Sequence, residues 1–239
     1  MATGTERGST EMAEFDPTRH LSVFSPYQFG ERRVDVIGCG ATGSHLTLML
    51  ARLGISNIHV WDHDTVAEHN LANQCYELSH VGQPKVKAIA DVCEKATGTK
   101  VTCHRQEVDG LQQFGEIVYL LTDTMSSREQ IFNQGLRENF NVRLVIETRM
   151  GPDYGRIYSF SPIKPNHIEA WQLTCYKDEE AETSACGASI TVGPTAQYLA
   201  SIATWQLIRW FAIEQGADDT LENVIHFSLR PPLVTSGFF

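Results

Sequence analysis

From Arg33 onward the apolar positions alternate between two rhythms. RVDVIG reads as a strand, and Leu46, Met49, Leu50 and Leu53 then recur at i, i+3, i+4 and i+7, one face of a helix. Asn57 to Trp61 is β-rich, and Val86, Ile89, Ala90 and Cys93 repeat the helical spacing after Pro84, a residue suited to a first helical turn. Further strands are predicted at VTCHRQEV from 101, IVYLL from 117, VRLVIE from 142, RIYSF from 156 and VIHFSL from 224. Helices are predicted at about 126–138 and, long and apolar, at about 189–214. Strands alternating with helices, several of them apolar throughout, imply a mostly parallel sheet covered on both faces. The expected fold is therefore α/β and Rossmann-like, with helices on both faces and C-terminal strands partly antiparallel. In such sheets ligands bind at the carboxyl ends of the strands.

Composition narrows the function classes. At 42% hydrophobic and 20% charged, the 239 residues can bury a sizeable core and suit one large domain. Residues 1 to about 15 read as a polar arm with no apolar core of a secretory signal, followed by a short lead-in up to residue 32. The most apolar later stretch, Ala200 to Ile213, is interrupted by Gln206 and Arg209 and is too short to span a bilayer. A soluble, cytoplasmic protein without a membrane partner is expected. Nineteen Lys and Arg against 29 Asp and Glu give a net charge of −10, the wrong sign for a broad nucleic-acid surface. The 6 cysteines fall singly at irregular distances, which predicts free thiols.

The chemistry sits where strands end. The first strand runs into Gly38-Cys39-Gly40-Ala41-Thr42-Gly43 and then a helix, the context in which GxGxxG points to nucleotide binding: a tight turn, bare backbone for phosphate approach and orphan N–H groups at a helix start. A tight turn with no ligand is the alternative. The second strand ends in Asp62-His63-Asp64, and Asp62 lies 24 residues after Gly38, close to the spacing of an acidic group that accepts from a ribose hydroxyl. Lys85 falls in a first helical turn, where a cation opposes the macrodipole, so it points to an anion it serves; a solvated surface lysine is the alternative. Asp123, after the strand at 117–121, shares the same sheet edge and could hold Mg²⁺ against phosphates or cap the next helix.

In order and spacing, GCGATGS, DHDTVAEHNLANQ, VGQPKVKA and TDTMSSR resemble the nucleotide-binding core of the ThiF, MoeB and ubiquitin-activating-enzyme superfamily, from Arg33 to Gly151, with a weaker continuation through ETRMG and residues 184–208. The short stand-alone members of bacteria, phages and plasmids look most similar. The resemblance implies a single adenylation domain over 33–239, with a crossover loop at about 165–188. It also implies ATP- and Mg²⁺-dependent activation of the C-terminal carboxylate of a ubiquitin-like protein, a sulfur-carrier protein or a peptide. By motif position Gly38, Gly40 and Gly43 form the phosphate cradle, Asp62 with Asp64 flanks the ribose, and Asn70, Asn73 and Gln74 line the nucleotide pocket. Lys85 neutralises phosphates and Asp123 carries Mg²⁺.

The chain departs from the family in two places. Asn73 stands where members commonly carry a phosphate-binding arginine; Arg19 of a neighbouring subunit's arm, Arg128 or Arg149 are the candidates to replace it. Many relatives hold structural zinc through paired CxxC motifs, and no CxxC occurs here, so no zinc is expected. Larger activating enzymes form a thioester, for which Cys186, near the start of the long helix, is the candidate nucleophile; a packing cysteine is the alternative. The long helix is apolar on more than one face, which predicts a homodimer or burial within one subunit. Two other classes stay open: a catalytically impaired scaffold subunit of an activating complex, and an NAD-dependent oxidoreductase, which explains the glycine loop and Asp62 but not Lys85, the NxxNQ segment or Asp123.

Overall fold

The structure, a computed structural model, describes residues 15–180 and 191–239. A single turn, α1 (Pro26–Phe29), leads into β1 (Val34–Ile37), α2 (Ala41–Arg52), β2 (Ile58–Trp61), α3 (Lys85–Thr97), β3 (Thr102–His104), β4 (Ile117–Leu120) and α4 (Met125–Ile131). There follow β5 (Leu144–Met150), β6 (Tyr154–Phe160), α5 (Pro165–Gln172), α6 (Gly193–Glu214), β7 (Val224–Leu229) and β8 (Pro232–Gly237). The eight strands form one sheet in the order β3-β2-β1-β4-β5-β6-β7-β8. Pairing is parallel from β3 through β5 and antiparallel from β5 through β8. The expected Rossmann-like sheet with an antiparallel C-terminal part is what the chain adopts.

Two cores cover the faces. On one, α2, α3 and α6 bury Leu46, Leu50, Val86, Ile89, Leu199, Ala203 and Leu207 against Val34, Val36 and Tyr119. On the other, Phe132, Phe160 and Trp171 cluster with Val118, Leu120 and Val145. The all-apolar strands are thus explained by burial on both sides. Much of α6 is spent inside the subunit, which accounts for most of its apolar girth; Trp205 remains 53% exposed and Tyr198 39%. The lead-in is docked too: Phe24, tilted, and Phe29, edge-on, pack against the Phe211 ring of α6.

Four expectations need correction. The helix foreseen at 126–138 is α4 followed by a π-turn, Phe132–Leu136. The strand from 101 pairs only over Thr102–His104. The segment expected to be loop from 165 opens with α5, where Pro165 is first in the helix and Ile168 and Trp171, three apart, are buried. That three-residue spacing was the missed signal. Finally β8 is a strand none of the apolar patterns flagged, because it is an exposed edge strand opened by a proline. Among the described residues no helix is long and apolar enough to cross a membrane.

Candidate active site

A cleft of about 450 Å³ opens at the carboxyl edge of the parallel strands. The glycine loop and first turn of α2 (Gly40 to Gly43) form one wall; Leu121, Thr122 and Asp123 after β4 form the floor; the end of β5 and the start of β6 (Arg149, Gly151, Tyr154, Arg156) close the far side.

The three loop glycines have different physical reasons. At Gly38 φ is +99°, and a Cβ would lie 2.7 Å from the Leu121 carbonyl oxygen, so both conformation and the approach of the β4 exit demand glycine. At Gly43 a Cβ would fall 1.9 Å from the Gly38 carbonyl oxygen, so here the demand is close packing of helix on loop. At Gly40 a Cβ would meet nothing within 4 Å among the described residues. Nothing in those residues requires a bare backbone there. Among the described residues no side chain caps the N-terminus of α2, which leaves its first N–H groups open to an anion.

Asp62 fixes this loop from behind. Its carboxylate accepts from the Cys39 N–H at 2.7 Å and from the Asp64 N–H at 2.8 Å. The Tyr76 hydroxyl, which sequence reasoning overlooked, donates to the Cys39 carbonyl at 2.6 Å, and burial pushes its phenol up so that it stays a donor. Cys39 is buried and its thiol raised by burial; with Cys93 it belongs to the core as expected.

Lys85, first residue of α3, is 8% exposed, so it is no solvated surface lysine. Its Nζ sits 2.7 Å from Asp64 Oδ2, and that hydrogen bond draws the Asp64 carboxyl below its usual range. The anion it serves in this structure is therefore Asp64. Asn70 is 7% exposed and its Oδ1 accepts from the Ala67 N–H at 2.9 Å, capping the turn Glu68–Ala72. Asn73 donates to Thr191, while its Oδ1, the neighbouring Gln74 Oε1 and His45 Nε2 are buried with no partner among the described residues. Orphaned buried polar atoms near the glycine loop suit a polar ligand rather than an empty turn. Asp123 is exposed at the cleft floor, a hard oxygen donor free to take a divalent cation; Thr124, not Asp123, caps α4.

The profile of the ThiF family matches residues 27–232. The chain belongs to the ThiF family. Among relatives it is 36% identical over 84 residues to adenylyltransferase and sulfurtransferase MOCS3-1 of Zea mays, covering 33% of this chain and 18% of that protein. It is 31% identical over 126 residues to MOCS3-2 of the same plant, 48% of this chain and 26% of that protein. Ubiquitin-like modifier-activating enzyme 5 of Caenorhabditis elegans is 29% identical over 93 residues, 36% of this chain and 22% of that protein. The matches thus span about a quarter or less of these relatives. In fold, the chain is similar to Escherichia coli MccB, crystallised with AMPCPP and MccA, at a TM-score of 0.68 and 17% identity, over 89% of this chain and 65% of MccB. It is similar to PaaA at 0.68 and 18%, over 89% and 74%.

In this ThiF-family chain the two arginines expected to replace the missing family arginine are both at the cleft but not free. Glu147, in the middle of β5 and 0% exposed, takes Arg128 Nη1 at 2.6 Å and Arg149 Nε at 2.9 Å. Arg128 also holds the Thr122 carbonyl, next to Asp123, at 2.8 Å. Arg149 binds the Thr174 carbonyl at 2.6 Å and hydroxyl at 2.9 Å, and its guanidinium lies 4.4 Å from the Tyr158 ring centroid. The buried triad explains why neither is available: sequence spacing showed the charges and not their common carboxylate. Asp178 pins the neighbouring segment: the Ser126 hydroxyl donates to its carboxylate at 2.6 Å, and the Ser126 and Met125 N–H groups at 3.1 and 2.7 Å, bonds that lower its carboxyl. Arg19 is exposed on the turn before α1 and lines none of the cleft. Cys186 lies outside the described residues. His59 Nδ1 lies 3.0 Å from His104 Nε2.

Proposed function

We propose that the protein uses ATP and Mg²⁺ to adenylate the C-terminal carboxylate of a peptide or of a ubiquitin-like or sulfur-carrier protein. The observation that carries this reading is Gly40: a loop position that nothing among the described residues requires to be bare, at the uncapped start of a helix and above Asp123. The relatives' names support the class of reaction.

In this reading the first N–H groups of α2 receive the phosphates, and Asp62, held in place by two backbone N–H groups, accepts from the ribose. The orphaned oxygens of Asn73 and Gln74 accept from donors on the nucleotide. Lys85 exchanges Asp64 for phosphate. Asp123 is the residue that would hold Mg²⁺, which supplies charge neutralisation on the triphosphate. A carboxylate oxygen of the acceptor bonds to the α-phosphorus, the bond from that phosphorus to the β-phosphate oxygen breaks, and pyrophosphate leaves with the electron pair. The triad contributes by fixing Thr122, and with it the Asp123 loop, before the nucleotide arrives. A second copy, packed over the exposed Trp205 and Tyr198 of α6, would bring Arg19 to the site.

The test is ATP–pyrophosphate exchange with peptides ending in a free carboxylate. Exchange is expected, and Asp123→Ala should lower it roughly 10²–10³-fold, the usual cost of removing one group that stabilises transition-state charge. Exchange undiminished in Asp123→Ala sinks the metal role. ATP binding with no exchange under any acceptor favours the scaffold class.

A further inference from the structure

Across the antiparallel half of the sheet, basic residues stand side by side. Arg149 on β5 faces Arg156 on β6, and Arg156 faces His226 on β7. Directly opposed residues of an antiparallel pair project their side chains to the same face, with Cβ atoms about 5 Å apart, and like charges placed so repel. Arg149 is relieved by Glu147. Arg156 is exposed at the cleft wall and forms no ion pair or hydrogen bond among the described residues. Asp123 and Glu180 line the same cleft, yet neither pairs with it. Its influence reaches His226, whose imidazole is lowered first by burial and then by the Arg156 charge. Of the cations that line the cleft among the described residues, Arg128 and Arg149 share Glu147, and Arg156 is left uncompensated.

Its place along the sheet says which anion it is set to meet. The glycine loop follows β1, Asp123 follows β4, and Arg156 lies near the start of β6. Three strand spacings, roughly 14 Å, separate β1 from β6. A nucleotide on the loop and an anion at Arg156 are therefore neighbours across Asp123, not competitors for one spot. The adenylation step must bring a carboxylate against a polyanionic triphosphate, and a cation on the far wall lowers that repulsion without neutralising the α-phosphate.

Resting on the adenylation reading, we propose that Arg156 is the docking residue for the acceptor: it binds the terminal carboxylate of the incoming chain and holds it on the side of Asp123 away from the glycine loop. Tyr154 and Gly151 wall the approach beside it.

The test uses the ¹⁵N-labelled full chain with AMPCPP and Mg²⁺, in which the methylene bridge prevents turnover. Acetyl-Gly-Gly and its C-terminal amide are titrated while the Nε–H signals of the arginines are followed. The carboxylate should move the Arg156 signal, identified by its loss in Arg156→Gln. The amide should bind at least roughly tenfold more weakly, as should the carboxylate to Arg156→Gln, with partial rescue in Arg156→Lys. Equal binding of the two probes, or full carboxylate affinity in Arg156→Gln with an unchanged melting temperature, overturns the proposal. The backbone signals of Gly38 to Gly43 report AMPCPP separately. If those stay still while acetyl-Gly-Gly moves Arg156, the nucleotide reading fails and the carboxylate site stands.

Discussion

Two ionic clusters, one after β2 and one on β5, are built differently. On the parallel side Lys85 meets Asp64, whose side chain is 52% exposed; on the antiparallel side Arg128 and Arg149 close on Glu147, which is 0% exposed. Lys85 is itself buried, but its carboxylate partner stands half in water, so an incoming anion can replace Asp64 without stranding the ammonium. A buried triad whose donors are all satisfied is held fast, because freeing any member strands a charge away from water. The chain thus keeps one cation that can change partners and two that cannot. The exchangeable one suits a ligand, and the fixed ones suit the framing of the Asp123 loop and the 173–180 segment.

The comparison can be broken first at its rigid end. Glu147→Gln leaves two buried guanidinium groups without a counter-charge and should cost about 3–5 kcal/mol. For a chain of this size that lowers the melting temperature by about 10 °C, readable by calorimetry. A shift of a degree or two would mean the triad is not the fixed element. At the mobile end, Lys85→Ala should weaken ATP binding about tenfold by titration, the loss of one charge-assisted contact. Asp64→Asn should do the opposite or nothing, since it frees Lys85 for phosphate. If Asp64→Asn weakens binding as much as Lys85→Ala, the pair works as a unit and the contrast fails.

The smallest effect is the response to acid. Burial lowers His45, His59, His104, His167 and His226 below their usual value. The unfolded chain then binds more protons than the folded one just below about pH 6.5, so stability falls as pH drops through that window. Asp64 and Asp178, both lowered, keep their contribution until the pH falls below about 4. Melting temperature should therefore fall between pH 7.5 and 5.5 before any carboxylate titrates; an equal melting temperature at those two values contradicts the burial of the histidines.

Local signals carried the parallel half. The glycine loop, Asp62, Lys85 and Asp123 were legible because each is tied to a strand exit or a helix start, which periodicity marks. What escaped depends on contacts far apart in the chain. Glu147 gathers arginines 19 residues before it and two after it, Asp178 caps a helix 53 residues upstream, and Tyr76 reaches the loop at Cys39. Arg156 escaped for a simpler reason: on an alternating strand a lone arginine reads as solvent-facing until the register places it beside Arg149 and inside the cleft. Asn70 shows the converse, a motif residue whose side chain is occupied in capping its own turn.

The central claim, that Gly40 is bare for a nucleotide, is tested most directly by calorimetric titration of Mg·ATP into the wild-type protein and Gly40→Ala. Saturable ATP binding is predicted for the wild type, in preference to NADH. The alanine variant, whose Cβ meets no atom of the described residues within 4 Å, should melt within a few degrees of the wild type yet bind ATP roughly tenfold more weakly. No ATP binding by the wild type, a preference for NADH, or unchanged affinity in Gly40→Ala would contradict it.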